Sequence, residues 1–393
     1  MHPFGEIPTS TSRVVLGVSP LAVGLGFYSV AIPVFLPLEG MSVTDLGVLL
    51  TTWGLTTVLL SVPLAILSDR YGRKLLMLAG AIISVLTMVV PGFTANFSVL
   101  ESSAVLGGVG EAMYMSTWNA YLADTTSGES RAGAFSLSFV TFTVASGLGS
   151  LIPGLFPLLP LKLLEAHRVL FILLGILGVG TPFSVVKWAR DVKPKTSRQG
   201  ILPRKSLGII AKFSTANMMI GLGAGLIIPL IPTWFYLRFS ETDVFSGPLI
   251  AVSNLAMGVA AFASPAIARR VGLVKGIVAT QILSTLFLFA MPFTPTALVA
   301  GPLYVLRSML MNMASPLSDT FLMNMIAEDE RATASSFNVV VWRLPNAAST
   351  VIGGSLLNGG ELNLPFYLCT ALYVSSIALF YTLFRNAEGD NSR

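Results

Sequence analysis

The run Ala65-Ile66-Leu67-Ser68-Asp69-Arg70-Tyr71-Gly72-Arg73-Lys74 decides how this chain is read. It lies between two apolar stretches, Leu46 to Leu67 and Leu75 to Pro91, and its last six residues carry four charges. A short charged turn between long apolar runs belongs at the water edge of a membrane. The excess of basic groups predicts the cytoplasmic edge. Gly72 suits the turn, because a residue without a side chain adopts positive φ without strain.

Composition extends this reading to the whole length. The 393 residues are 53% hydrophobic and 11% charged, with a mean hydropathy of +0.77. A soluble domain is about 25% charged. Apolar runs of about 20 residues, enough to cross the hydrocarbon core, recur throughout. The alternating segments of about ten residues that mark a membrane β-barrel are not found. The expected class is therefore an all-α membrane protein. The single cysteine, Cys369, excludes an internal disulfide. The two histidines fall in the N-terminal tail (His2) and near a helix end (His167). That supply of ligands argues against a Zn, Cu or haem site, so no cofactor is expected. Met1 to Ser12 is polar, with Pro3 and Pro8, and the apolar run from Val14 to Leu38 is longer than a signal-peptide core. It is expected to be the first membrane span.

Twelve spans are expected, at roughly 14–38, 44–67, 75–94, 97–123, 132–156, 167–187, 208–236, 245–268, 275–296, 299–325, 332–357 and 363–385. Of 24 Lys and Arg, only Lys162, Arg168 and Arg238 fall on one face of this map, and Arg307 and Arg343 lie inside spans. All the others share the opposite face, which places both termini in the cytoplasm. This topology accounts for the net charge of +5, so nucleic acid is not an expected partner. A polar stretch from Lys187 to Lys205 holds Arg190, Lys193, Lys195, Arg198 and Arg204 among breakers. It divides the chain into residues 1–186, a basic linker 187–206, and residues 207–393. The linker is an ordinary cytoplasmic anchor or a contact to anionic lipid headgroups.

The two halves repeat. A displacement of 200 takes Arg70 to Arg270, Gly72 to Gly272, Arg131 to Arg331, Ala134 to Ala334 and Gly154 to Gly354. Ser42-Val43-Thr44-Asp45 recurs as Ser240-Glu241-Thr242-Asp243, and Gly24-x-Gly26 with Pro33 recurs as Gly223-x-Gly225 with Pro232. In the second half the charged stretch has decayed, with Arg269 for Asp69 and Leu273 for Arg73.

The opening stretch resembles the connection between the second and third helices of the major facilitator superfamily, written G-x-L-A/S-D-R/K-x-G-R/K-R/K. Leu67, Ser68, Asp69, Arg70, Gly72, Arg73 and Lys74 match, while Ala65 replaces the first Gly. The resemblance implies two six-helix bundles related by pseudo-symmetry, with a transport site at the repeat interface. It also implies a cytoplasmic gate. In the family the Asp faces the start of the eleventh helix, and an Arg pairs with an acid ending the fourth. Here Asp69, Arg70, Gly72, Arg73 and Lys74 would form that gate with Asp124, Arg131, Arg270, Gly272 and Arg331. A carboxylate gains at a helix N-terminus, where unpaired amides carry partial positive charge. The competing reading is a turn that only sets topology.

Glu111 stands mid-span in Gly107-Gly108-Val109-Gly110-Glu111-Ala112-Met113-Tyr114. A carboxylate at the bilayer centre is costly and is by default a functional candidate, here for a proton. Its alternative is a protonated structural acid. Tyr114 and Trp118 continue its face at i+3 and i+7. The Gly-x-Gly-Glu-Ala-x-Tyr string is similar to the fourth helix of spinster-like lipid transporters, although the acid of that family's first helix has no counterpart between Val14 and Leu38.

Arg307 is the expected partner of Glu111, or of an anionic group on the solute. It flanks a polar stripe of Tyr304, Ser308, Asn312, Ser315 and Asp319. Arg343, sharing a face with Asn346 and Thr350, lines the cavity or reaches the headgroups. Pro33, Pro229, Pro232 and Pro345 are expected to interrupt helices.

Gly149 to Gly154 matches the superfamily's antiporter Gly/Pro motif only in part, with Ile152 before Pro153. No Walker A run is present, and with neither histidine inside a span no hydrolase set can form. The expectation is a monomeric secondary transporter of a small organic solute in the cell membrane, coupled to protons by antiport or symport, with drug-like efflux favoured. Alternatives are an uncoupled facilitator or nutrient symporter, or a sensor that kept the fold.

Overall fold

The computed structural model describes residues 7–190, 206–327 and 330–386, with backbone alone at 128–129, 259, 261–267, 331–333 and 336. The basic linker beyond Arg190, the first six residues with His2, and the side chain of Arg331 lie outside the described residues.

In chain order, α1 (Thr9–Leu16) and α2 (Ser19–Leu38) are followed by α3 (Val43–Tyr71), α4 (Arg73–Phe93), α5 (Phe97–Thr125) and α6 (Gly128–Leu151). A 3-10 turn (Ile152–Leu158) leads to α7 (Leu163–Gly178) and α8 (Gly180–Trp188). Next come α9 (Leu207–Ile227), α10 (Ile231–Phe239), α11 (Asp243–Val271) and α12 (Leu273–Ala290). Last are α13 (Ala297–Met325), α14 (Arg331–Asn358) and α15 (Leu364–Phe384). With α1/α2, α7/α8 and α9/α10 each taken as one run, these are the twelve expected spans. Among the described residues nine runs are long and apolar enough to cross a membrane, and none of the elements is a strand. The chain forms two compact units. One comprises Met1–Ser197 with Thr242–Ala251, the other Arg198–Glu241 with Val252–Arg393.

The charged stretch that opened the sequence reading is not a loop. Helix α3 runs through Asp69 and Arg70 to Tyr71, and α4 begins at Arg73. The turn between them is Gly72 alone, at φ 100°, and Gly272 at φ 87° does the same between α11 and α12. Other boundaries follow from local chemistry. The Ser42 hydroxyl caps α3 by accepting from the Asp45 amide at 3.0 Å, and Asn96 caps α5 by accepting from Val99 at 3.3 Å. The prolines divide into two groups. Pro229 lies in a 3-10 turn and Pro232 opens α10, so that run is broken. Pro33 and Pro345 sit inside unbroken α2 and α14, where a lost backbone bond is tolerated because neighbouring helices support the turn.

Each unit is built on the same pairing. In the first, α2 packs on α6 and α7, and α4 on α5 and α7; in the second, α9 packs on α14 and α15, and α12 on α13 and α15. The repeated glycines mark the tightest of these contacts. A Cβ at Gly26 would lie 1.9 Å from the Ser146 carbonyl oxygen of α6, and one at Gly225 would lie 1.9 Å from that of Asn346 in α14. Small residues let membrane helices meet backbone to backbone. Large apolar side chains such as Leu59, Val62 and Ile66 on α3 are exposed.

Candidate functional site

The first unit encloses a cavity of about 290 Å³ whose wall includes Leu21 and Leu25 of α2, Trp53 of α3, Glu111, Tyr114 and Trp118 of α5, and Phe139 of α6. Local sequence explains the shape. At Gly107 an added Cβ would lie 2.5 Å from the Trp53 ring, so the indole occupies the space a side chain would fill. From there Trp53 Nε1 donates to Glu111 Oε2 at 2.5 Å, and Thr57 Oγ1 reaches the same oxygen at 3.5 Å. Tyr28 lies against Trp53, with ring centroids 5.6 Å apart. Below the carboxylate, Tyr114 stacks on Trp118 at 5.4 Å, and Trp118 Nε1 donates to Ser138 Oγ at 2.9 Å. The result is an apolar, aromatic chamber in which Glu111 is the one ionisable carboxylate among the described lining residues.

Arg307, Asn312 and Arg343 belong to the second unit. Arg307 is 4% exposed, and its Nη2 donates to the Tyr373 hydroxyl at 2.8 Å while its carbonyl accepts from Ser284 at 2.8 Å. Among the described residues it forms no ion pair. A phenol is thus one partner of Arg307, and an indole one partner of Glu111. The Asn312 amide donates to the Ser308 carbonyl at 2.8 Å one turn back, and Arg343 is exposed.

The charged end of the first unit is held by Arg73. Its side chain is 9% exposed and touches Asp69 at 2.5 Å, Asp124 at 3.2 Å and Ser68 at 2.9 Å. Asp124, near the end of α5, therefore does meet the Arg of the motif. Lys74 donates to the Val186 carbonyl, Arg70 lies over the Tyr71 ring, and Arg131 closes the end of α5 by donating to the Ala123 and Thr126 carbonyls. In the second unit Arg270 is exposed beside the Gly272 turn, and Arg331 opens α14.

Two features escaped the sequence reading. Glu101, earlier on α5, accepts from Thr52 at 2.7 Å, so α5 carries two acids that meet α3. His167 is not at an exposed helix end. It lies inside α7, fully buried, with Nε2 2.7 Å from Asp243 Oδ2. That position within α7 corrects the expectation that neither histidine lies inside a span. The two residues are 76 apart in sequence, so no local pattern joins them.

Comparison with known proteins agrees with the architecture. Quinolone resistance protein NorA of Staphylococcus aureus (strain MRSA252) is 28% identical over 176 residues, 44% of this chain and 43% of that protein. Multidrug resistance protein 2 of Bacillus subtilis (strain 168) is 29% identical over 135 residues, 33% of this chain and 34% of that protein. The matched part is less than half the length of either relative. Among solved structures, the nucleoside transporter NupG superposes with a TM-score of 0.78 at 11% identity, covering 96% of this chain and 99% of its own. A bacterial homologue of the human lysosomal transporter Spinster gives 0.76 at 16% identity, covering 96% of each. At these identities the superpositions establish the fold. The family pattern described as Major Facilitator Superfamily matches residues 14–350. With the Asp69–Lys74 signature, the repeated helix pairing and that match in agreement, the chain belongs to the Major Facilitator Superfamily, a family of transporters and not of enzymes.

Proposed function

We propose that this chain is a secondary active transporter that moves an amphipathic organic solute by alternating access and couples it to protons through Glu111. The observation that carries the reading is the Glu111 carboxylate, set in an aromatic chamber of about 290 Å³ and held by Trp53 and Thr57. An acid within a membrane helix has few roles other than charge transfer or solute recognition. The walls favour a solute with apolar surface, recognised through Tyr114 and Trp118 and by the charge of Glu111. Arg307, Asn312 and Arg343 are assigned to the second unit's share of the path. The names of the two bacterial relatives support export of drug-like compounds over nutrient uptake.

In this reading the Asp69–Arg73–Asp124 clasp, with Arg70, Gly72, Lys74, Arg131, Arg270, Gly272 and Arg331, serves the cytoplasmic gate. The protein works as a monomer in the cell membrane with both termini inside, as the distribution of basic residues supports. The test is transport in proteoliposomes carrying a pH-sensitive dye, against a panel of organic cations, anions, sugars and lysolipids. Solute-driven proton movement that Glu111→Gln abolishes is the expected result. Solute flux without a proton signal, equal in wild type and variant, would make the protein a facilitator and Glu111 a structural acid.

A further inference from the structure

The His167–Asp243 contact specifies its own proton count. His167 Nδ1 lies 2.8 Å from the Leu163 carbonyl oxygen. A carbonyl only accepts, so Nδ1 carries hydrogen. Nε2 lies 2.7 Å from Asp243 Oδ2. A neutral imidazole protonated at Nδ1 and an ionised carboxylate would bring two lone pairs together there. The contact needs one more proton, shared between Nε2 and Oδ2, and with it the pair is neutral overall. Both side chains are 0% exposed, and Asp243 Oδ1 is buried with no hydrogen-bond partner. Loss of the proton would leave a carboxylate in this place without a donor, which is strongly unfavourable.

Among the described residues no other charge takes over that role. Around His167 stand the rings of Phe27 and Phe35 of α2 and Phe156 of the 3-10 turn, with centroids 6.5, 5.4 and 4.8 Å away. The neighbouring charged groups are engaged elsewhere. On α7, Arg168 donates to Glu39 at the end of α2 at 2.9 and 3.1 Å, and Glu165 accepts from the Lys162 amide at 3.3 Å. Glu241, before α11, is partly exposed. Asp45, the counterpart of Asp243 in the repeat, remains with its own cap and accepts from the Ser42 hydroxyl at 2.7 Å. Asp243 has left the equivalent cap for His167.

We infer that His167 and Asp243 form a proton-binding site, and that seating the first turns of α11 on the first unit takes up one proton. Thr242–Ala251 belongs to that unit, while α11 continues into the other. The seat is close. A Cβ on Gly247 would lie 2.5 Å from the Ser150 carbonyl oxygen, and the intervening Ser246 is fully buried with an unpartnered hydroxyl. The inference does not rest on Glu111 or on the transport reading.

The experiment uses the full-length protein in lipid nanodiscs. Ser246→Cys reports unseating through alkylation by a water-soluble maleimide, and exposed Glu361→Cys corrects for thiol reactivity at each pH. Native Cys369 is buried. Between about pH 5.5 and 8.5, the range in which histidine sites usually change charge, the corrected rate is expected to rise. Its limiting slope is about tenfold per pH unit for one proton. With Asp243→Asn added, the amide donates to Nε2 without ionising, and the corrected rate is expected to stay low and flat. A flat rate with the native pair, or the same rise in Asp243→Asn, overturns the inference. Should that variant not fold, 15N-histidine labelling serves instead, because the chain has only two histidines. The His167 signal is expected to change in step with alkylation, and an unchanged His167 signal across the rise overturns the inference equally.

Discussion

Replacing Gly26 by alanine tests the packing that builds each unit. The new Cβ would lie 1.9 Å from the Ser146 carbonyl oxygen and 2.6 Å from its carbon, both backbone atoms that no rotamer change can move. Ordinary contact begins at 3.4 Å, so α2 and α6 must part by about 1.5 Å. That movement also breaks the 3.1 Å bond from the Ser150 hydroxyl to the Gly26 carbonyl. Overpacking costs about 1–3 kcal/mol and the hydrogen bond about 0.6 kcal/mol. Alanine's better helix propensity offsets about 1 kcal/mol. Gly147→Ala, on α6, is the control: its Cβ meets nothing within 4 Å, and it keeps the propensity gain. The two variants are expected to differ by about 2–4 kcal/mol. At roughly 2 °C per kcal/mol in a chain of this size, Gly26→Ala melts about 4–8 °C below Gly147→Ala. The assay is tryptophan-fluorescence melting of the full-length protein in detergent. Melting temperatures that agree within about 1 °C would refute the close-contact argument.

Gly225→Ala, which meets the Asn346 carbonyl at the same 1.9 Å, should cost the second unit a similar amount. The two losses should add within about 0.5 kcal/mol. Trp53→Phe keeps a ring over Gly107 but removes the N–H that Glu111 accepts. A charge-assisted bond is worth about twice a neutral one, so a melting temperature below that of wild type is expected; an unchanged melting temperature counts against it. Arg73→Gln leaves Asp69 and Asp124 without their common partner. Because these acids are 57% and 27% exposed, the expected loss is about 1–3 kcal/mol, below that of a fully buried pair, and Arg73→Lys should restore less than half because an ammonium cannot span both acids. Cys369 should resist maleimide in the folded protein and react only after denaturation, which mass spectrometry reads directly.

Much of the fold was written locally. Spans appear as apolar runs, Gly72 and Gly272 announce their turns, and the matches displaced by 199 and 200 report the repeated pairing of α2 with α6 and α9 with α14. Glu111 was legible because a charge within a membrane span is conspicuous. Its contact with Trp53 was not, because Trp53 looks like any other span aromatic until Gly107 is placed against it. His167 was hidden for a related reason. A histidine beside Arg168 and Glu165 resembles a solvated helix end, and only the fold brings Asp243 to it. One signal was available: Asp243 repeats Asp45, yet the two acids have different surroundings.

The four helices of 29 residues, α3, α5, α11 and α13, are each about 44 Å long. The hydrocarbon core is about 30 Å thick. In α3 the apolar stretch from Leu46 to Leu67 covers about 33 Å of this length, and the final turn with Asp69 and Arg70 extends past it. Helix length therefore does not fix the match to the bilayer; the position of the first charge does. A bilayer thickened by a few ångströms would draw the Arg73 clasp into hydrocarbon before it covered any further apolar residue. The molecule is thus fitted to a membrane of ordinary thickness on this side, and its least tolerant point is the ion-paired end of α3.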